Sequence, residues 1–91
     1  MIEKLYFNQG TCSQAVRFMV DEEGVIQEAE FYGGCDGNLK GICKLIPGMK
    51  AAEVADLLRG TTCGYKSTSC PDQLALAIDE LLTEHPELPR L

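Results

Sequence analysis

The stretch QAVRFMVDEEGVIQEAEFY, residues 14–32, determines the class of fold. Apolar residues alternate through its first half, which places Val16, Phe18 and Val20 on one side of an extended chain. The DEEG sequence that follows predicts a turn, in which Gly24 is free to adopt a positive φ angle. The pattern predicts a strand that ends in a tight reversal.

The second half of the stretch, VIQEAEFY, predicts the antiparallel partner strand. We expect Val25, Ala29 and Phe31 to face the core, and Glu28 and Glu30 to face water. A hairpin with one apolar and one polar face needs helices or a second sheet to cover its apolar side.

The flanking sequence supplies one more strand and three helices. IEKLYF at 2–7 predicts a short strand. Three helical segments follow the hairpin. The first has an apolar stripe of Leu39, Ile42, Cys43 and Ile46 and is ended by Pro47-Gly48, and the second is AAEVADLLR, capped by Gly60. The third has a stripe of Leu74, Ile78, Leu81 and Leu82. Strands followed by helices predict an α+β fold: a single domain over 1–91, with two to three antiparallel strands and about three helices on one face.

Size and charge exclude several classes of function. A chain of 91 residues forms one thin-cored domain, a size at which a metal, a disulfide or a partner often adds stability. The net charge of −6 argues against a nucleic-acid partner. We find neither a signal-peptide pattern nor a membrane-spanning run, so we expect a cytoplasmic protein whose thiols are reduced.

Against that background, five cysteines are many. Cys43 lies on the apolar stripe of the first helix and is predicted to be a small buried hydrophobe. The other four cysteines have no position on an apolar face and stand at predicted element ends or in loops, as metal ligands and nucleophiles often do. They are Cys12, Cys35, Cys63 and Cys70. Their spacing lacks the close pairs of zinc ribbons.

Cys70 is predicted to stand at the start of the last helix. Pro71 suits the first helical position, and Ser69 with Asp72 resembles a reciprocal cap. Unpaired N–H groups and the helix dipole at this position favour the thiolate form of cysteine. A thiolate binds soft metals and attacks disulfides, and the alternative is that these residues only cap the helix.

Three segments resemble one known family. GTCS at 10–13, FYGGCDGNLKGI at 31–42 and CGYKSTSCPDQLA at 63–75 are similar to the TSCPD-domain proteins, which occur alone and as C-terminal extensions of ribonucleotide reductases. The resemblance implies the small stand-alone type, whose four characteristic cysteines correspond to the four loop cysteines here. Such proteins are often labelled ribonucleoside-diphosphate reductase, but this chain is too short to be that enzyme alone, so whether it is an enzyme stays open.

The order of elements also resembles the IscU/NifU-type iron–sulfur scaffolds. That resemblance implies that Cys12, Cys35 and Cys70 converge. An acid and a histidine of those scaffolds are replaced here by Gln14 and Ser69. Cys63 would then supply a fourth ligand, which is typical of structural zinc or a stable cluster.

The sequence therefore predicts a four-cysteine module for zinc or an iron–sulfur cluster, with a protein partner that the family resemblance suggests is a ribonucleotide reductase. One alternative is a thiol-redox protein in which Cys70 attacks a partner disulfide and Cys63 resolves it. Another is a structural interaction domain, or a nucleotide-binding one that uses the glycine-rich bend before Leu39.

Overall fold

A computed structural model of the protein describes residues 1–34, 36–61 and 68–89; the side chain of Asp36 is outside this description. The described elements, in chain order, are β1 (Ile2–Phe7), β2 (Ser13–Val20), β3 (Ile26–Gly33), α1 (Asp36–Leu45), α2 (Ala51–Leu58) and α3 (Cys70–Glu84). The strands form one antiparallel sheet in the order β1-β2-β3. The predicted α+β fold is confirmed.

The centre of the core comes from the central strand. Val16, Phe18 and Val20 are all fully buried, as their alternation predicts. They pack with apolar residues of the helices, chiefly Leu74, Ala77, Ile78 and Leu81 of α3 and Val54 and Ala55 of α2. The sheet therefore has one covered face.

A bulge in β3 changes which of its residues reach the core. Met19 pairs with Glu28 but Val20 pairs with Ile26, so Gln27 is an extra residue between them. The extra residue shifts the alternation, and Ile26 is fully buried while Val25 is only half-buried. The prediction that Val25 faces the core was wrong for this reason. Val25 instead bridges to Lys50 outside the sheet.

Helix α3 lies against the covered face of the sheet. The Lys4 ammonium donates to the carboxylates of Glu80 and Glu84, both at 2.8 Å, and so ties β1 to the second half of α3. Helix α2 packs beside α3, and α1 packs against β3. This places the N-terminus of α3 at the end of the sheet where strand β1 finishes and strand β2 starts.

The three predicted helices are present, but two of them end one residue earlier than predicted. Helix α1 ends at Leu45, so Ile46 follows it, and α2 ends at Leu58, with Arg59 as its C-cap. Helix α1 begins at Asp36, inside the glycine-rich bend, rather than beside Leu39. Gly60 follows the C-cap of α2 with a φ of 83°, as predicted. Within 1–34, 36–61 and 68–89, no helix combines the length and the apolar character needed to cross a membrane.

Candidate functional site

The N-terminus of α3 forms the base of the candidate site. Ser69 is the N-cap, and its hydroxyl accepts a hydrogen bond from the Asp72 backbone N–H at 3.2 Å. Cys70 is the first residue of the helix and Pro71 the second, where its missing N–H leaves no helical hydrogen bond unmade. The prediction that Cys70 opens a helix is confirmed.

Cys12 meets Cys70 at this position. The two Sγ atoms are 3.8 Å apart, although 57 residues separate the cysteines in the chain. Both are present as thiols; Cys12 is exposed, whereas Cys70 is buried with 6% of its surface accessible. Cys12 lies just before β2, so the pair joins the edge of the sheet to the last helix.

A serine hydroxyl contacts the buried thiol directly. Ser13 Oγ donates to Cys70 Sγ at 2.8 Å, and Asn8 Nδ2 donates to the same Ser13 oxygen at 2.7 Å. Because Asn8 occupies a lone pair of this oxygen, the hydroxyl proton is directed toward sulfur. A hydrogen bond donated to Sγ is a contact that orients a cysteine sulfur.

The glycine bend after β3 closes a third side. A Cβ atom on Gly34 would lie 3.1 Å from Cys12 Sγ and 3.0 Å from the Ser13 amide nitrogen, and its φ of 84° also favours glycine. Glycine at this position therefore lets the backbone approach the thiol. Cys35, the next residue, lies outside the described residues.

Three described residues on either side of Cys63 in the chain, Gly60, Thr61 and Thr68, bind the start of α3. The Asp72 carboxylate accepts from the Gly60 N–H at 2.8 Å and from the Thr68 hydroxyl. Ser69 Oγ donates to the Thr61 carbonyl at 2.6 Å. The predicted reciprocal cap is thus only half formed: Ser69 caps Asp72, while the Asp72 carboxylate binds these two loop ends.

A comparison with known protein families finds one match for this chain. The sequence profile described as the TSCPD domain matches residues 2–82. The chain belongs to the TSCPD domain family. No curated protein matches it significantly, and no solved structure does. The resemblance to IscU/NifU-type scaffolds therefore stays an expectation from the order of elements.

Two of the four predicted ligands of this TSCPD domain come together in the structure, Cys12 and Cys70. Cys35 and Cys63 lie outside the described residues. Within the described part of the chain, no group of three or more His, Cys, Asp or Glu side chains is arranged to hold a metal ion. The four-cysteine site stays a prediction, and its two described members are adjacent.

Cys43 belongs to a different surface from this thiol pair. It is half-buried rather than buried, and it lines a groove of about 370 Å³ between α1 and β3 together with Phe31, Lys40 and Lys44. Partial burial raises the pKa of the Cys43 thiol. Cys43 is therefore a less reactive thiol at neutral pH. The groove borders Gly34, and nucleotide binding there stays a prediction.

The residues that sequence reasoning missed are Asn8 and Ser13. Ser13 is one of the most buried side chains of the domain, with 2% of its surface exposed. Its burial follows an irregularity in the pairing of β2 with β3 between Ser13 and Ala15, which the alternation of apolar residues does not reveal. Its position directly after Cys12 was the one available signal.

Proposed function

We propose that this TSCPD domain binds a single metal ion, zinc in the first place, through the thiolates of its four loop cysteines. They are Cys12, Cys35, Cys63 and Cys70. The supporting observation is the distance between Cys12 Sγ and Cys70 Sγ, 3.8 Å. Thiolates bound tetrahedrally to zinc at about 2.3 Å are about 3.8 Å from one another. The two described thiols are thus spaced as neighbouring ligands of one ion.

The same distance favours one ion over a cubane iron–sulfur cluster. In a four-iron cluster each thiolate binds a different iron, so its sulfurs lie farther apart than two ligands of one tetrahedral ion. Iron held by the same thiolates, alone or as a two-iron cluster, is the alternative that fits this spacing. A bound ion would neutralise thiolate charge and join the sheet edge to α3.

The rest of the site supports this proposal. Two described residues close to Cys35 and Cys63 in the chain lie near the thiol pair or the start of α3. A Cβ atom on Gly34 would lie 3.1 Å from Cys12 Sγ, and the Thr61 carbonyl accepts from Ser69 Oγ. Ser13 supplies the hydrogen bond to sulfur that commonly orients a metal ligand. Asp72 contributes no bond to the thiols; its carboxylate organises the loop ends.

Metal analysis of the full chain tests the proposal. The protein is purified under reducing, anaerobic conditions, and zinc and iron are measured per chain. We expect one zinc ion per chain, and cobalt substitution should give the spectrum of a tetrahedral thiolate site. Zinc at about 100 times Kd should stabilise the fold by ~2.7 kcal/mol. A chain that binds neither metal stoichiometrically contradicts the proposal.

Cysteine variants locate the site. Cys12→Ser and Cys70→Ser should each lose tight zinc binding, as should the serine variants of Cys35 and Cys63. Cys43→Ser is the matched control and should keep it. Ser13→Ala should lower the affinity for zinc about 10- to 100-fold without removing a ligand. Wild-type affinity in both Cys12→Ser and Cys70→Ser would exclude the thiol pair as ligands.

We also propose a protein partner for the loaded domain, and the family resemblance makes a ribonucleotide reductase the first to test. The outer face of the sheet offers exposed apolar residues, including Leu5 and Phe7. Binding to a purified reductase should weaken when Phe7 is replaced by Ser, whereas zinc content should not change. If the wild-type domain and Phe7→Ser bound the reductase equally, this face would be excluded as the binding surface.

A further inference from the structure

Cys12 and Cys70 differ in their access to solvent. Cys12 is exposed, whereas Cys70 is buried beneath it, at 3.8 Å between the sulfurs. A soluble oxidant therefore reaches Cys12 first. Cys70 Sγ lies close enough to attack the sulfenic acid that forms on Cys12, and it accepts a hydrogen bond from Ser13 Oγ.

We propose that Cys12 and Cys70 form a reversible disulfide under hydroperoxide, with Cys12 as the thiol that reacts with the oxidant and Cys70 as the one that resolves it. The disulfide would remove two of the four proposed ligands and release the metal. Only the release of metal rests on the proposed function, because the disulfide itself depends on the two thiols alone.

The chemistry proceeds in two balanced steps. The Cys12 thiolate attacks one oxygen of hydrogen peroxide; an S–O bond forms, the O–O bond breaks, and the leaving hydroxide takes a proton to become water. The Cys70 thiolate then attacks Sγ of the Cys12 sulfenic acid; the S–S bond forms, the S–O bond breaks, and the leaving hydroxide takes a proton to become a second water. The two sulfurs together give two electrons to the peroxide.

The geometry makes this pairing accessible. A disulfide requires sulfurs about 2.05 Å apart, so Cys12 Sγ and Cys70 Sγ need to approach by less than about 2 Å. Cys12 lies in the connection between β1 and β2, one residue before β2 begins. The roles of the cysteines here differ from those in the thiol-redox alternative of the sequence analysis. In that alternative, Cys70 attacks a partner disulfide and Cys63 resolves it.

Peptide mapping of the oxidised protein tests the proposal. Zinc-loaded and metal-free full chains are treated with hydrogen peroxide, alkylated, and digested with trypsin without reduction. Cleavage after Arg17, Lys40, Lys44, Arg59 and Lys66 places each of the five cysteines on its own peptide. We expect the Cys12 and Cys70 peptides to be cross-linked, one zinc ion to be released per cross-link, and a dithiol reductant to reverse both.

The order of attack has its own readout. In Cys70→Ser, dimedone should label Cys12 after peroxide treatment, because the sulfenic acid has lost its resolving thiol. In Cys12→Ser, Cys70 should stay unlabelled because it is buried. Cys43→Ser should behave as wild type. Circular dichroism establishes that each variant is folded. The peptide map of the oxidised wild-type protein tests the disulfide even if a variant does not fold.

Specific outcomes overturn the proposal. A cross-link between Cys70 and Cys63 in place of Cys12, or dimedone on Cys70 rather than Cys12, excludes it. If zinc binds but no Cys12–Cys70 link forms, the disulfide proposal fails alone. If no zinc binds, the proposed function fails, and the map of the metal-free chain still decides whether the disulfide forms.

Discussion

The two ends of the sheet are held by different kinds of contact. At the hairpin end, around residues 21–26, main-chain hydrogen bonds dominate: Ile26 N–H donates to Met49, and Ala51 N–H donates to Gly24. Among the described residues of the cysteine end, around Cys12 and the N-terminus of α3, hydrogen bonds that involve side chains join the sheet and the α2 end to α3. Asn8 Oδ1, at this end, is buried without a hydrogen-bond partner in the described part of the chain.

This difference separates what the fold needs from what the site needs. Main-chain bonds over a buried apolar cluster stabilise the hairpin end without any added group. The cysteine end depends on serine, threonine, aspartate and amide side chains, and it brings two thiols together. A side-chain network of this kind costs stability where one of its members has no partner, as Asn8 Oδ1 has none among the described residues. We infer that the hairpin end specifies the fold and that the cysteine end serves function.

The largest expected effect lies at the hairpin end. Ile26→Ala removes a fully buried side chain and should lower the free energy of unfolding by about 2–5 kcal/mol. Urea denaturation followed by circular dichroism measures the loss, which should be the same with and without zinc. Glu22→Ala, on the exposed turn of the same end, is the control and should stay within about 0.5 kcal/mol of wild type. A strongly zinc-dependent loss for Ile26→Ala would contradict the division between the two ends.

A smaller effect is expected at the cysteine end. Asp72→Ala leaves the Gly60 N–H and the Thr68 hydroxyl without their acceptor and should cost about 1–3 kcal/mol in the metal-free protein. Zinc should recover part of this loss, because the proposed site includes Cys63, which lies between Gly60 and Thr68 in the chain. Asp79 lies in the same helix as Asp72, and Asp79→Ala removes an exposed ion pair with Arg59. This control substitution should cost less than about 1 kcal/mol. Equal losses in the two variants would show that Asp72 has no special role.

The smallest effect concerns Lys4, which lies between the two ends. The hydrogen bonds that Lys4 donates to Glu80 and Glu84 raise the pKa of Lys4 above its ordinary value of 10.5. Because the folded pKa is the higher one, this stabilisation is fully present below 10.5 and disappears as pH rises through the folded pKa. The difference in unfolding free energy between wild type and Lys4→Met should be ~0.5 kcal/mol and should shrink only in that alkaline range.

Lys44→Met, which alters an exposed lysine of α1, is the matched control for the pH series. It should show no such alkaline dependence relative to wild type. A stability difference for Lys4→Met that falls instead between neutral pH and pH 10.5 would mean that the ion pairs with Glu80 and Glu84 are not its source.

Much of the fold could be predicted because periodicity acts locally. The alternation in β2 identified Val16 and Phe18 as core residues, and Gly24 marked the turn. The error at Val25 arose because a bulge adds one residue to β3 and reverses the alternation beyond it. Bulges depend on pairing with a neighbouring strand, so periodicity within one strand does not reveal them.

The sequence by itself determined the helix terminus at Cys70, since Ser69, Pro71 and Asp72 act within one turn of chain. It also determined the family, because the motifs are long. The convergence of Cys12 with Cys70 was only implied by the scaffold resemblance, and the tertiary structure decided the distance between their sulfurs and that Ser13 donates to Cys70 Sγ. The physical reason is distance along the chain: capping is local, whereas the contact between two thiols 58 positions apart depends on how the sheet packs against α3.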